Sequence, residues 1–242
     1  MTKKVLITGG AKGLGAAIAE EFAKNGYDII ITYKDSEKEA EDLSKKLARL
    51  YDIKMDSYKL DLRSEKDIID LFAKIDSISC LVNNAATNDD VDVLNHTKEK
   101  FLEILETNLI GSYLMCKYAY SSLKENNGSI INIASTNGID TMYPESLDYD
   151  ASKAGIINLT QNLSSAFAPK VRVNVIAPGW INTKSTVDMN PNLKKSELSK
   201  IALGRFAEPE EIASCVYFVA SDKASYMTGT VIRIDGGKKY GC

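Results

Sequence analysis

The chain has 242 residues, 44% hydrophobic and 26% charged, which is ordinary globular usage and excludes wholesale disorder. Its 30 Lys+Arg balance 33 Asp+Glu at a net charge of −3, so no basic excess marks nucleic acid as the main partner. Four scattered cysteines, a lone histidine and no apolar run of about 18 residues argue against a zinc site, a disulfide framework or a membrane partner.

In chain order, Lys4–Thr8 reads as a strand, and its early start leaves no room for a leader peptide, so a cytoplasmic protein is expected. Gly13–Asn25 reads as a helix, Asp28–Tyr33 as a strand and Ser36–Leu50 as a charged helix with Leu43, Leu47 and Leu50 on one face. Lys54–Leu60, Ile78–Val82, Ser129–Ala134, Val171–Ala177 and Val231–Ile234 are further strands. Helical patterns lie between them at Ser64–Lys74, Lys98–Lys124, Leu147–Phe167 and Glu208–Ala220. The alternation predicts an α/β, three-layer, doubly wound fold with a seven-stranded parallel sheet, in one domain over 1–242. Asn182–Lys200 is the only long irregular stretch and is the candidate for a short lid, at about 183–205.

Thr8-Gly9-Gly10-Ala11-Lys12-Gly13-Leu14-Gly15 joins the first strand to the first helix. Glycines in that place let a backbone approach a pyrophosphate, whose charge the amides of a helix N-terminus can bind. The spacing is T-G-x3-G-x-G, which is neither G-x-G-x-x-G nor a P-loop. A dinucleotide site fits this context better than a structural turn.

The glycine loop is followed by Asp61-Leu62, Asn83-Asn84-Ala85, Asn108, Ser135, Tyr149-x-x-x-Lys153, Pro178-Gly179 and Asp235-Gly236-Gly237. With this ordered set the chain resembles the short-chain dehydrogenases/reductases over its full length. The resemblance implies a Rossmann fold and a carbonyl–alcohol oxidoreductase. It also implies a dinucleotide held by Gly9, Lys12, Gly13, Leu14, Gly15, Tyr33, Lys34, Asp61, Leu62, Asn83, Ala85, Tyr149, Lys153, Pro178, Gly179, Ile181 and Thr183. In this pattern Asp61 contacts the adenine, Asn83 braces the loop beneath the cofactor, and Pro178–Thr183 holds the nicotinamide end through Thr183.

An NAD site usually carries a carboxylate at the end of the second strand, where this chain has Thr32-Tyr33-Lys34. Lys34, with Lys12, can pair with a 2′-phosphate, so NADP(H) is the expected cofactor. Asp35 keeps NAD(H) open.

Tyr149 and Lys153 are four residues apart at a helix start, so their side chains can share a face. A free tyrosine has a pKa of about 10, and a nearby lysine ammonium and an oxidised nicotinamide ring would both favour the phenolate and lower it. The predicted catalytic set is Tyr149 as proton donor to the carbonyl oxygen, Ser135 as its hydrogen-bond partner, Lys153 and Asn108. The family pattern gives Lys153 a second contact, to the nicotinamide ribose, and has Asn108 position a water for proton relay. No metal is required. His96 is expected at the surface or at a helix entry, and one histidine without G-x-S-x-G gives no support to a hydrolase.

Within the family the overall look is that of the 3-oxoacyl-carrier-protein reductases, carried by Leu203-Gly204-Arg205-Phe206 and Glu208-Pro209-Glu210-Glu211. Ala86 and the acidic Asp89-Asp90-Val91-Asp92 depart from that group, and such carboxylates at a site entrance would repel an acidic carrier. The substrate is therefore read as an acyl thioester carbonyl, with acyl carrier protein as a partner, or else a sugar, polyol or other small carbonyl. A cofactor-binding protein without catalysis is the remaining alternative. Lys98–Lys124, apolar nearly all round in its middle, and the small residues Ala151, Ala154 and Gly155 of the following helix predict a subunit interface, in the family a homotetramer's.

Overall fold

The computed structural model describes residues 3–237. Seven parallel strands form one sheet: β1 (Lys4–Ile7), β2 (Asp28–Tyr33), β3 (Met55–Lys59), β4 (Cys80–Asn83), β5 (Ser129–Ile133), β6 (Arg172–Pro178) and β7 (Val231–Ile234). Their spatial order is β3-β2-β1-β4-β5-β6-β7. The order reverses beside β1, which pairs Val5 with Ile29 of β2 on one side and with Cys80 of β4 on the other. A reversal of this kind opens a crevice beyond the carboxyl ends of the strands.

Nine α-helices are described: α1 (Gly13–Lys24), α2 (Glu37–Tyr51), α3 (Glu65–Phe72), α4 (Lys98–Leu105), α5 (Gly111–Glu125), α6 (Leu147–Phe167), α7 (Lys184–Val187), α8 (Pro191–Ser199) and α9 (Pro209–Ala220). Because both sheet faces are covered, the central strands β4 and β5 are buried along their whole length, and apolar side chains sort between the faces by alternation. Val5, Ile7, Ile29, Ile31 and Val82 join α1, α2 and α9 in one core. Leu6, Ile30 and Leu81 join α3, α5 and α6 in the other. Phe22 of α1 meets Tyr27 and, from α9, Tyr217 edge-on at 5.0 and 5.4 Å, which fixes α1 against its neighbour.

Two predicted segments differ. The Lys98–Lys124 pattern is interrupted by a π-helical turn at Glu106–Ile110. Gly111 follows it, where a Cβ would stand 2.9 Å from the Leu62 carbonyl oxygen, so glycine lets the turn pack against Leu62. The Asn182–Lys200 stretch is not irregular, because it folds as α7 and α8. Thr183 and Thr186 cap α7 reciprocally, and Asn190 caps α8, whose first residue is Pro191. Both helices are too short for hydrophobic periodicity to mark them.

Candidate active site

The glycine loop is built on backbone proximity. Gly9 has φ +62°, and a Cβ there would lie 3.0 Å from Ala85. A Cβ on Gly15 would lie 2.2 Å from the Gly9 carbonyl oxygen, so only hydrogen fits. Lys12 precedes α1 without capping it through its side chain, which leaves the first amides of the helix available to an anion. These residues fit a dinucleotide pyrophosphate. Leu14 packs on the first core, and a Cβ on Gly13 would lie 3.6 Å from Thr183, so the loop meets the end of the β6 segment.

The brace beneath this loop is Asn84 rather than Asn83. Asn84 Nδ2 donates to the carbonyls of Thr8 and Gly9 at 3.0 and 3.1 Å. The Thr8 hydroxyl accepts from the amides of Asn84 and Ala85 at 3.1 and 3.0 Å. Asn83, the last residue of β4, buries its amide toward α5 and β5, donating to Ser112 O, Cys116 Sγ and Asn132 Oδ1. Strand alternation sends two adjacent asparagines to opposite faces, which is the physical reason for the exchange. Leu62 likewise places its side chain in the second core, so any contact it makes to a dinucleotide would come from its backbone.

Of the two lysines expected at a 2′-phosphate, Lys34 lies 3.6 Å from Asp61, and Lys12 lies 3.9 Å from Glu39. The Arg63 guanidinium, which no sequence motif singles out, bonds both oxygens of Asp61, one as close as 2.6 Å, and with Lys34 holds the carboxyl far below its usual range. Tyr33 donates to Glu37 at 3.3 Å. Pro178 ends β6, the Gly179 amide donates to Ile234 O at 2.9 Å, and Ile181 bridges to Ala207.

Ser135 and Tyr149 meet on a cleft of about 890 Å³, and Lys153 stands behind them. Ser135, just past β5, accepts from the Asn137 amide and donates to Asn137 Oδ1 at 3.1 Å. Asn137 in turn donates to Asp150 at 2.6 Å. Lys153 is buried, its ammonium 5.3 Å from the Tyr149 ring centre and donating to Ile133 O at 2.8 Å. Burial pushes Lys153 down to about 8. Burial pushes Tyr149 up to about 12, against the Ser135 hydroxyl, which acts in the opposite direction. In the protein by itself desolvation dominates at Tyr149.

Asn108 sits inside the π-helical turn, and its side-chain amide makes three hydrogen bonds. Oδ1 accepts from the Thr87 amide at 2.8 Å, and Nδ2 donates to Thr87 O and to Ser152 Oγ. Ser152 hands the chain on by donating to Tyr149 O at 2.7 Å. Through these bonds the Asn108 side chain ties the first turns of α6 to the loop after β4. The wider turn gives Asn108 that reach, a use such bulges often serve.

His96 enters α4, but its side chain is buried against Asp148 at 3.2 Å. Of the acidic stretch, only Asp90 lines the cleft, where Ser146 and Asn88 donate to it. Asp89 pairs with Lys100 at 3.6 Å, and Asp92 accepts from the Leu94 amide. The cleft is acidic nonetheless, through Asp140, Glu145, Glu197 and Asp235 besides Asp90, with Arg233 and Lys200 as its cations. No residue pattern singles out Tyr143, Trp180 or Glu197, which bond one another in its wall.

No helix among the described residues is long and apolar enough to cross a membrane. Residues 9–239 match the family model described as enoyl-(acyl carrier protein) reductase. The chain is 37% identical over 241 residues to the 3-oxoacyl-(acyl-carrier-protein) reductase FabG of Aquifex aeolicus, covering 97% of this chain and 96% of that one. Its fold is similar to that of the acetoin dehydrogenase YohF of Salmonella typhimurium, with TM-score 0.88 and 29% identity over 98% and 96% of the two chains. A mutant Serratia marcescens short-chain dehydrogenase/reductase superimposes with TM-score 0.92 at 26% identity, over 97% of both chains. With its crevice, glycine loop and Ser-Tyr-Lys cluster, the chain belongs to the short-chain dehydrogenase/reductase family of NAD(P)-dependent oxidoreductases acting on CH–OH groups.

Proposed function

We propose that this chain is an NADP(H)-preferring carbonyl reductase whose substrate is a 3-oxoacyl thioester. The meeting of Ser135 and Tyr149 on one cleft, with Lys153 buried behind Tyr149, carries the reading. When bound, the nicotinamide supplies hydride to the carbonyl carbon. Gly9, Gly15 and the amides opening α1 would hold its pyrophosphate, Asp61 its adenine, and Thr183 the nicotinamide end. Tyr149, raised to about 12, keeps its proton at neutral pH and gives it to the carbonyl oxygen. Ser135 hydrogen-bonds the same oxygen as charge gathers there. Lys153, below its own pKa of about 8, is an ammonium that stabilises the phenolate Tyr149 leaves behind. Asn108, through Ser152, fixes the backbone from which Tyr149 projects.

The preference for NADP(H) is supported by the absence of a carboxylate in Thr32-Tyr33-Lys34 and by the two exposed lysines. A 2′-phosphate would compete for them with long, solvated ion pairs, which contribute little. The thioester is supported by the relatives named 3-oxoacyl-(acyl-carrier-protein) reductase at 34–37% identity. The acidic cleft favours a second reading, in which a small uncharged carbonyl is reduced without a carrier. A groove of Leu109, Ile110, Tyr113, Gly155 and Leu159 between α5 and α6 supports the homotetramer, and light scattering at micromolar concentration tests it. A cytoplasmic location accords with this activity.

The deciding experiment is NADPH and NADH oxidation with acetoacetyl thioesters on acyl carrier protein and on a small thiol, beside acetoin and ketoses. Thioester reduction with NADPH is the expected result. Turnover of the small carbonyls alone would replace it with the second reading.

A further inference from the structure

Trp180 is the one tryptophan of the sequence, and it stands in the wall of the cleft that holds Ser135 and Tyr149. Its indole N–H donates to Glu197 Oε2 at 3.1 Å and to the Tyr143 hydroxyl oxygen at 3.3 Å. The Tyr143 hydroxyl donates to the same Glu197 oxygen at 2.5 Å. Lys200 donates to the other oxygen at 2.7 Å. The Glu197 side chain is 3% exposed, a rare setting for a carboxylate unless it is paired. Burial raises its pKa, but the bonds from Lys200, Tyr143 and Trp180 outweigh burial and hold it below the usual range, so it is ionised.

Three segments meet at this carboxylate: the loop before α6 through Tyr143, the segment after β6 through Trp180, and α8 through Glu197 itself. The rings reinforce the junction. Trp180 stacks on Phe206 at 5.7 Å, and Tyr143 stands edge-on to Trp180 at 6.0 Å. Had Glu197 served α8 alone, its bonds would stay within the helix, as the one to Lys200 nearly does. Instead two charge-assisted bonds, the strong kind, leave the segment. All three side chains line the cleft, and none takes part in the proton transfer described above.

We propose that Glu197 is a positioning residue that latches α8 onto the Tyr143–Trp180 pair and thereby fixes the substrate wall of the cleft. The proposal rests on the reading of this cleft as a carbonyl site. The latch also occupies the Tyr143 hydroxyl and the Trp180 indole N–H. The wall then offers ring surface, Leu193 and Ile201 to the substrate rather than free donors, which suits the apolar part of an acyl group.

The test uses the full chain with Glu197→Ala, Glu197→Gln and Tyr143→Phe. Acrylamide quenching of Trp180 fluorescence reports the latch directly, NADPH affinity reports the cofactor half, and kcat and KM are read with the acetoacetyl thioester of a small thiol. Glu197→Ala should increase quenching and raise the thioester KM about tenfold, with NADPH affinity unchanged. Glu197→Gln, which keeps an acceptor and serves where the alanine variant does not fold, should shift both readouts less. Adding Tyr143→Phe to Glu197→Ala should cost nothing further, because the two share one interaction. Unchanged quenching in the Glu197 variants overturns the latch. Increased quenching with unchanged KM overturns its positioning role. A wild-type chain that reduces no carbonyl overturns the underlying reading, while quenching still decides whether the latch exists.

Discussion

The two ends of the crevice are built on different principles. At the glycine loop, backbone meets backbone: Gly9 lies against Ala85 and Gly15 against Gly9 O, with Asn84 and Thr8 stitching β1 to β4. At the substrate end, side chains from segments far apart in sequence meet: Ser135 and Asn137, Tyr143, Tyr149, Trp180 and Glu197. The first arrangement tolerates few substitutions because atoms occupy the space; the second is a network whose members can be removed one at a time. A cofactor shared across a family suits the rigid end, and a changeable substrate suits the adjustable one.

The sharpest break between the ends should come from Tyr149→Phe. Turnover should fall by about 10²–10⁴-fold with NADPH affinity unchanged, read by steady-state kinetics beside a direct binding titration. Equal losses in both would mean that the ends are not separable. Gly15→Ala should do the reverse, weakening NADPH about 10- to 100-fold through the overpacked loop, as calorimetry would show. Intact binding in that variant would refute the close approach.

The pH profile places Lys153 in the comparison. Burial lowers its pKa to about 8, so the ammonium is present below that pH and lost above it. Tyr149, at about 12, stays protonated through the same range. Reductive kcat/KM should thus be flat from about pH 6 to 8 and fall by up to tenfold per unit above. The stability effect has the opposite sign: the unfolded chain binds this proton up to about 10.4, so between about 8 and 10.4 the contribution to stability rises with pH. A reductive profile rising through pH 8 would mean that Lys153 does not act as the ammonium that stabilises the phenolate.

The smallest effect is expected at Lys34, on the surface. Lys34→Glu should shift the NADPH-to-NADH ratio of kcat/KM toward NADH by about tenfold, the size of one charge-assisted bond. An unchanged ratio would leave Lys12, or neither lysine, as the discriminator.

The strands and long helices were legible to within about two residues, because each spends its apolar side chains with a period that its backbone geometry enforces. The Ser135, Tyr149 and Lys153 cluster was legible as well, through spacing and strand-end placement. Asn84 was half legible: both asparagines stood in the motif, and alternation along β4 is what assigns the brace to the second. Asn108 was legible as a site residue but its partners were not, since a 3.6-residue period conceals the π-helical turn that turns its amide onto Thr87 and Ser152.

By itself, the sequence determined the doubly wound sheet, the glycine loop and the family, because these follow from local periodicity and from residue types with one stereochemical use. Only the tertiary structure decided the electrostatics and the substrate wall. The pKa of Tyr149 depends on how deeply it is buried, and not simply on the lysine one turn away. Tyr143 and Glu197 lie 37 and 17 residues from Trp180, and nothing local relates the three. Their partnership comes from the packing that brings α8 against the end of β6, which no periodicity along the chain encodes.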